Sequence, residues 1–462
     1  MIYAAVHKRC LAVSRGLACI AIVLSVFSAA TFSQITTHTT THTTTQNSIG
    51  KYLDPASGRT VDELVSLALT NNLELIAIRK EAEAGEALIR QARLRPNPSL
   101  EISGARQLGG SDNNVMLQGE LPLELGGRRS ARIRVAEREL EIRKQAVAER
   151  ERQLAAEVRS KFGEALAATM KLKFAEEILH IARENFDLVS AKVTEGRTPP
   201  LEQSQEAVEL NRIRAERETA EGVVEIRLFE LRNLVGMRPE EPLKLRGDLA
   251  GLSTPVPPQE VATQRALQTR PDLAGARAVE QLAAARVEQA RAEGRIDADV
   301  MLGYQRMRSG FPLLGIEEST GALLPIDSKF HFFTFGVRLN LPVRNRNQGM
   351  SAAAQLEGEA ARSRREFGEL TVLREIAAAY ARYNRALRAM EIYRVGVRDQ
   401  AAANLDVVRQ TYELGSKTLL DYIAEHHRYI QTENSYIDAQ LEAYQARVEI
   451  LRAVYASELI NK

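Results

Sequence analysis

Residues 193–203 read VTEGRTPPLEQ, and residues 411–421 read TYELGSKTLLD. Each stretch places a glycine, Gly196 or Gly415, just past a long run patterned for a helix. Each then places a carboxylate, Glu202 or Asp421, six residues further on. Glycine suits such an end because a helix commonly stops in the left-handed region. Moving upstream, the neighbours match as well. ELPLELGGRRS from Glu120 pairs with NLPVRNRNQGM from Asn340, and LALTNNLELIAIR from Leu67 pairs with RALQTRPDLAGAR from Arg265. The offset is about 200 residues at first and about 220 later, the difference being an insertion between Met307 and Lys329. The order helix, strand pair, long helix, turn, helix therefore occurs twice. One structural repeat is read over 59–255 and a second over 256–462.

The helices carry a coiled-coil pattern. Ile133, Leu140, Val147 and Leu154 recur every seven residues, and Ile437, Leu441, Tyr444, Val448, Leu451 and Tyr455 alternate spacings of four and three. The runs Arg128–Thr194 and Met350–Glu413 contain no proline. A helix of about 65 residues is on the order of 100 Å long. No compact globular domain needs such lengths, and a rod-like envelope scaffold is one reading.

Alternating segments favour a membrane structure instead. Between Asn97 and Leu108, Leu100 and Ile102 alternate with Glu101 and Ser103. Between Asn114 and Glu124, Val115, Leu117 and Leu121 alternate with polar residues. Asp299–Met307 and Lys329–Asn340 form a second pair. Segments of about 10 to 12 residues suffice for a tilted strand to cross a bilayer. GGSDNN from Gly109 suits a hairpin turn. Phe330, Phe332, Phe333 and Phe335 are read as a cluster at a lipid interface. Four strands leave two unpaired edges, which lipid does not tolerate. Three chains would supply twelve. The expected fold class is mainly α with a small β part: long coiled-coil helices plus four membrane strands per protomer, completing a 12-stranded barrel as a trimer.

The N-terminus reads as a signal peptide over 1–30. His7, Lys8, Arg9 and Arg15 precede an apolar stretch from Leu17 to Phe27, followed by Ser28-Ala29-Ala30. The stretch falls short of the roughly 20 apolar residues a span requires. Cys10 and Cys19, the chain's two cysteines, fall inside it, so a mature chain would carry no thiol. Lipidation at Cys19 is the alternative, disfavoured by Gly16 three residues before it. A Thr/His-rich linker is read over 31–58. His38 and His42, four apart, are weak metal candidates if that tract were helical, but its threonines argue for linker.

Near-equal charge, 62 basic against 60 acidic residues, speaks against nucleic-acid binding. The sequence has no GxSxG elbow, P-loop, HExxH or CxxC motif, so neither enzyme chemistry nor a cofactor is expected. His426 and His427 are adjacent, which on a helix turns them about 100° apart and makes them poor joint metal ligands. Runs such as AERERQ from Ala148 read as solvated helix faces.

With the repeat, the turns and LRPNPSLEISG from Leu94, LPLELGGRRSARI from Leu121, LRNLVGM from Leu231 and YELGSKTLLDYI from Tyr412 in place, the chain resembles the TolC-like outer-membrane efflux family from about Thr60 to Ser457. PLELGGRRSARI looks most like the branch serving cobalt-zinc-cadmium export. The resemblance implies a homotrimer in outer-membrane lipid, its long coiled-coil helices forming a helical tunnel that extends into the periplasm. An inner-membrane pump and a periplasmic adaptor (membrane fusion protein) would dock at its tip, making it the passive exit duct for small solutes or metal ions. A type I secretion duct is the alternative within the class.

The resemblance also implies a gate. Tyr412, Lys417 and Asp421 match the family's tyrosine, arginine and aspartate, and Glu202 matches the acidic residue of the opposite helix pair. Lys417 replaces the arginine, losing a bidentate fork. The family's second ring aspartate falls at Ala424, and the adjacent Glu425 points elsewhere on the helix. A three-fold ring of Asp421 would favour cations, and its carboxylates would raise one another's pKa. The competing reading makes Gly415 and Asp421 helix-cap residues only. Pro199-Pro200 is expected to stiffen the first turn and begin the next helix.

Overall fold

The computed structural model describes residues 49–249 and 256–460. The 1–30 signal, Cys10, Cys19, His38 and His42 lie outside these residues.

The elements run α1 Ile49–Tyr52, α2 Val61–Asn71, α3 Leu73–Arg93, β1 Ser99–Arg106, β2 Asn113–Pro122, α4 Arg128–Thr194 and α5 Pro200–Val235. The second half runs α6 Gln259–Thr269, α7 Pro271–Glu293, β3 Asp297–Ile316, β4 Leu323–Asn340, α8 Gln348–Ile392, a π segment Tyr393–Arg398, α9 Asp399–Glu413, α10 Leu419–Val454 and α11 Ser457–Ile460. The stretch read as linker to residue 58 ends inside the fold. Tyr52 is buried with its hydroxyl on Glu221 at 2.9 Å, and Leu53 and Arg59 bridge Leu245.

Local chemistry sets the boundaries. At its start α4 follows Gly127 at φ 83°, and past its end Gly196 takes φ 73°. Its 67 residues make a rod of about 100 Å. The proline-free run from Met350 to Glu413 is not one α-helix, as expected from its composition, because the six-residue π segment around Gly396 interrupts it. A π-bulge accommodates an extra residue without a proline, so composition does not reveal it.

The helices pack around two cores and a smaller cluster. Leu64, Leu154, Phe162, Leu166, Leu228 and Tyr444 belong to one core, joining α2, α4, α5 and α10. Val372, Ile376, Tyr380 and Ile450 belong to the other, joining α8 to α10 with α6 and α7. Ile178, Leu179, Leu210 and Ile213 extend the packing toward the turns. Of the expected seams, Leu140, Leu154, Ile437, Tyr444, Val448 and Leu451 are buried, while Ile133, Val147, Leu441 and Tyr455 are half-buried. Three buried arginines hold the chain's last helices, two at the end of α10 and one on α11. Arg152 donates to the Arg452 carbonyl at 2.6 Å and Arg270 to that of Ala453 at 3.2 Å, while Arg159 donates to those of Glu458 at 2.6 Å and Leu459 at 3.1 Å. Cations at a helix C-terminus complement its dipole. The two halves echo each other in detail: Arg79 donates to Leu69 O and Arg277 to Leu267 O, each at 2.8 Å.

The four strands form one antiparallel sheet in the order β1-β2-β3-β4. Its register sorts side chains to two faces, because directly paired residues share a face. Leu100, Gly119, Leu302 and Phe335 form one row, and Ile102, Leu117, Tyr304 and Phe333 the next. Leu121, Val300 and Val337 continue that apolar face. The opposite face carries Glu101, Ser103, Gln118, Glu120 and Gln305. It is tied by Arg338 to Glu120 at 2.6 Å and Gln305 to Asn114 at 3.0 Å.

The register corrects two expectations. The four phenylalanines do not share a face: Phe333 and Phe335 stand on the apolar face, 81% and 88% exposed, whereas Phe330 and Phe332 stack together on the other. Successive strand residues alternate sides, so 330 and 332 cannot join 333 and 335. The second hairpin is also far longer than a bilayer crossing needs. With 20 and 18 residues, β3 and β4 absorb the insertion after Met307 as continued strand, through a bulge between Gly310 and Leu314.

Candidate functional site

Both long hairpins turn by the same backbone device. In the first, Arg197 N–H donates to Lys192 O and Gly196 N–H to Val193 O, both at 2.9 Å. In the second, Ser416 N–H donates to Thr411 O and Gly415 N–H to Tyr412 O, again at 2.9 Å. Gly415 sits at φ 75°, so both glycines occupy the left-handed region.

The helices that follow start differently, and this separates the two carboxylates. Thr418 caps α10: its hydroxyl accepts from Asp421 N–H at 3.2 Å, and Asp421 Oδ2 accepts from Thr418 N–H at 3.0 Å. The cap position of α5 is Pro199, with Pro200 as first helical residue. Proline has neither a side-chain acceptor nor an N–H, so no capping box can form there. Glu202, the counterpart of Asp421, is thereby released from capping. It accepts from the Tyr412 hydroxyl at 3.2 Å, linking the start of α5 to the end of α9. Burial, then Glu202, pushes the Tyr412 phenol up to about 12, so it remains a donor at neutral pH.

Thr418 holds the exposed Asp421 carboxylate below its ordinary range, with Lys417 adding a smaller pull. The higher pKa expected of a three-fold ring would have to overcome this cap. Lys417 is exposed; its backbone N–H donates to Thr411 O at 3.3 Å, and its side chain makes no hydrogen bond or ion pair among the described residues. Ala424 is exposed, and Glu425 pairs with Arg428 at 2.8 Å.

Behind the Tyr412–Glu202 contact lies a layer that the sequence reading did not single out. Tyr412 stacks on Tyr422 with centroids 5.9 Å apart, and Tyr422 on His426 at 6.0 Å. Asn185 of α4 donates to the Tyr422 hydroxyl at 3.1 Å. Glu206, one turn beyond Glu202, is 3% exposed; burial first, then Glu209 and Glu202, raises its carboxyl to about 7. His426 is 5% exposed, and burial lowers its imidazole to about 4. His427 turns away to bond Glu209 at 2.8 Å. Burial pushes Glu209 up, but Arg212 and His427 together bring it below the ordinary range. Glu202, Glu206 and Glu209, spaced by four and three, were the available signal for one helix face. Among the described residues no group of three His, Cys, Asp or Glu side chains is set to hold a metal. Nor is any helix long and apolar enough to cross a membrane.

The sequence matches the family described as "Outer membrane efflux protein" over residues 64–237 and 262–454. Over 403 residues it is 26% identical to the cobalt-zinc-cadmium resistance protein CzcC of Cupriavidus metallidurans, covering 86% of this chain and 90% of that one. Among solved structures, CusC superposes with a TM-score of 0.71 at 18% identity, covering 86% of this chain and 92% of that one. The open-state outer-membrane channel MtrE of Neisseria gonorrhoeae superposes with a TM-score of 0.66 at 18% identity, covering 85% and 88%. The helical-tunnel-and-strand fold is common to them.

Proposed function

Because this chain belongs to the outer membrane efflux protein family, and is thus an outer-membrane channel rather than a member of an enzyme family, we propose that three copies form the exit duct of a tripartite metal-ion exporter. Twelve strands would close a barrel in the membrane, with the helices continuing it as a tunnel through the periplasm. A periplasmic adaptor and an inner-membrane pump would dock at the turns and supply both cargo and energy. The mature chain would begin after the 1–30 signal.

One observation carries this reading. The sheet has one apolar face, and its outer strands β1 and β4 have no partner beyond the sheet among the described residues. Unpaired strand edges in hydrocarbon cost several kcal/mol for each orphaned group, so lipid burial requires closure by other copies. The antiparallel order lets β4 of one copy meet β1 of the next. In the same reading the Tyr412–Glu202 contact and the Asp421 turn form the resting gate. Metal cargo rests on the likeness to CzcC, whose name states cobalt, zinc and cadmium resistance.

The test is growth of a deletion strain with plasmid-borne rescue on metal salts, dyes and detergents. Sensitivity to cobalt, zinc or cadmium that the plasmid reverses supports metal export. Sensitivity confined to dyes and detergents replaces the cargo assignment with a multidrug one. A purified protein that remains monomeric and forms no conducting pore in bilayers overturns the duct.

A further inference from the structure

The apolar face of the sheet gives way to a basic belt where β1 and β2 end, and on β3 and β4 exposed Leu314, Ile316 and Leu323 resume beyond it. Above the row Ile102, Leu117, Tyr304 and Phe333 comes the row Gly104, Val115, Arg306 and His331. Above that comes Arg106, Asn113, Arg308 and Lys329. All of these residues share the apolar face by register. Four cations, Arg106, Arg306, Arg308 and Lys329, thus crowd two successive rows, which lie about 7 Å apart along a strand. Arg308 and Lys329 stand directly opposite each other, and like charges so placed are destabilising. Asp327 pairs with Arg308. The side chains of Arg106, Arg306 and Lys329 form no hydrogen bond or ion pair among the described residues, and all three residues are exposed. Tyr304 and His331, hydrogen-bonded at 2.6 Å, mark the border between the apolar band and the belt.

The belt lies where β1 and β2 end away from the helices, at the turn 107–112, while β3 and β4 run on past it to their own turn at residues 317–322. With the helices in the periplasm, this is the outer-leaflet end. We infer that Arg106, Arg306 and Lys329 form a binding site for the phosphate groups of an anionic outer-leaflet lipid, on the outside wall of the barrel. The site rests on the barrel reading and is continuous with its lipid-facing band. Charge complementarity selects the occupant. An anion is what three neighbouring unpaired cations lack, and the apolar rows directly below would receive the acyl chains of the same molecule. Basic clusters at a membrane boundary recognise anionic headgroups in this way.

The experiment uses the purified full-length protein in detergent, titrated with diphosphoryl lipid A and with its dephosphorylated form and read by native mass spectrometry. The expected result is that lipid A binds the wild type. Removing its phosphates, or combining Arg106→Gln, Arg306→Gln and Lys329→Gln, should weaken binding about tenfold or more, each cation near an anionic surface contributing. A triple Lys/Arg exchange variant (Arg106→Lys, Arg306→Lys, Lys329→Arg) should retain it. Equal binding of phosphorylated and dephosphorylated lipid, or unchanged binding by the triple Gln variant, overturns the site. Displacement by millimolar inorganic phosphate alone overturns the lipid assignment in favour of an ion site. Oligomeric state and bilayer conductance, measured on the same preparations, are expected to be unchanged by the triple variant. Their loss in the wild type would sink the duct itself rather than this site.

Discussion

The Tyr412 hydroxyl donates to the Glu202 carboxylate across 3.2 Å, joining the last turn of α9 to the first turn of α5. These residues lie 210 positions apart, one in each half of the chain. The contact is a direct side-chain tie between the two turn regions, whereas Asp421 is occupied by its own helix cap. Tyr412→Phe should keep the stack on Tyr422 while deleting the donor. One such hydrogen bond is worth about 1 kcal/mol, or roughly fivefold in a closed-to-open ratio. Single-channel recordings in planar bilayers should show higher resting conductance; the same conductance as wild type would remove this contact from the gate.

Thr418 and Asp421 make the complementary case. Thr418→Ala removes the cap acceptor and should cost about 1 kcal/mol at the start of α10. Faster amide exchange over 419–423 is the readout. Asp421→Ala combined with Lys417→Ala should release both the cap and its neighbouring charge and raise resting conductance. If amide exchange rises without any change in conductance, Asp421 is a cap and nothing more.

The contrast between Glu202 and Asp421 shows where the sequence is legible. The doubled turn and the extent of α4 could be read because glycines punctuate both ends of that helix, and local chemistry needs nothing remote. Different roles for two matched carboxylates were also written in the chain, as Pro199 against Thr418, but only capping geometry exposes the consequence. The shared face of Glu202, Glu206 and Glu209 was readable from their spacing, but the burial of Glu206 was not: a glutamate in a charge-rich helix looks solvated until the fold covers it. The outer part of β3 was hidden for another reason. Pro312 and the glycines around it break the strict alternation that a strand reading requires, and the bulge absorbs the irregularity.

Glu206 and His426 should give the turn region opposing pH responses. The carboxyl of Glu206 is raised from 4.5 to about 7, so its contribution is full below about pH 4.5 and is lost as pH rises through 7. His426 is lowered from 6.5 to about 4, so its contribution is present above about pH 6.5 and is lost as pH falls through 4. In the wild type the two slopes oppose each other across pH 5 to 6.5. Glu206→Gln should leave a protein less stable at pH 5 than at pH 8, and His426→Phe the reverse. Apparent melting temperatures of the detergent-solubilised protein at the two pH values are the check. Slopes of the same sign in both variants would refute the assignment.

Gly163 answers to Tyr444 rather than to a turn. A Cβ at Gly163 would lie 2.5 Å from the Tyr444 ring, which is fully buried with its hydroxyl on Arg159 O at 3.1 Å. The ring is wedged between α4 and α10 and has little room to yield. Gly163→Ala should therefore destabilise by about 1–3 kcal/mol through overpacking, despite alanine's better helix propensity. A melting temperature equal to or above that of the wild type would mean the helices separate at no cost.

The faces of the sheet supply the last contrast. Phe335 and Thr334 are neighbours on β4, and the register sends them to opposite sides: Phe335 shares a row with Leu302, Gly119 and Leu100, and Thr334 pairs with Gly303. An arginine on the lipid face deep in the band costs about 2–4 kcal/mol, whereas one facing an aqueous lumen can remain hydrated. Phe335→Arg should therefore lower the yield of membrane-inserted oligomer, scored by heat-modifiable mobility of outer-membrane fractions. Thr334→Arg should insert normally and instead reduce cation conductance, because it adds positive charge to the pore wall. Inverted results would mean that the polar face meets lipid, and the barrel would have to be turned inside out.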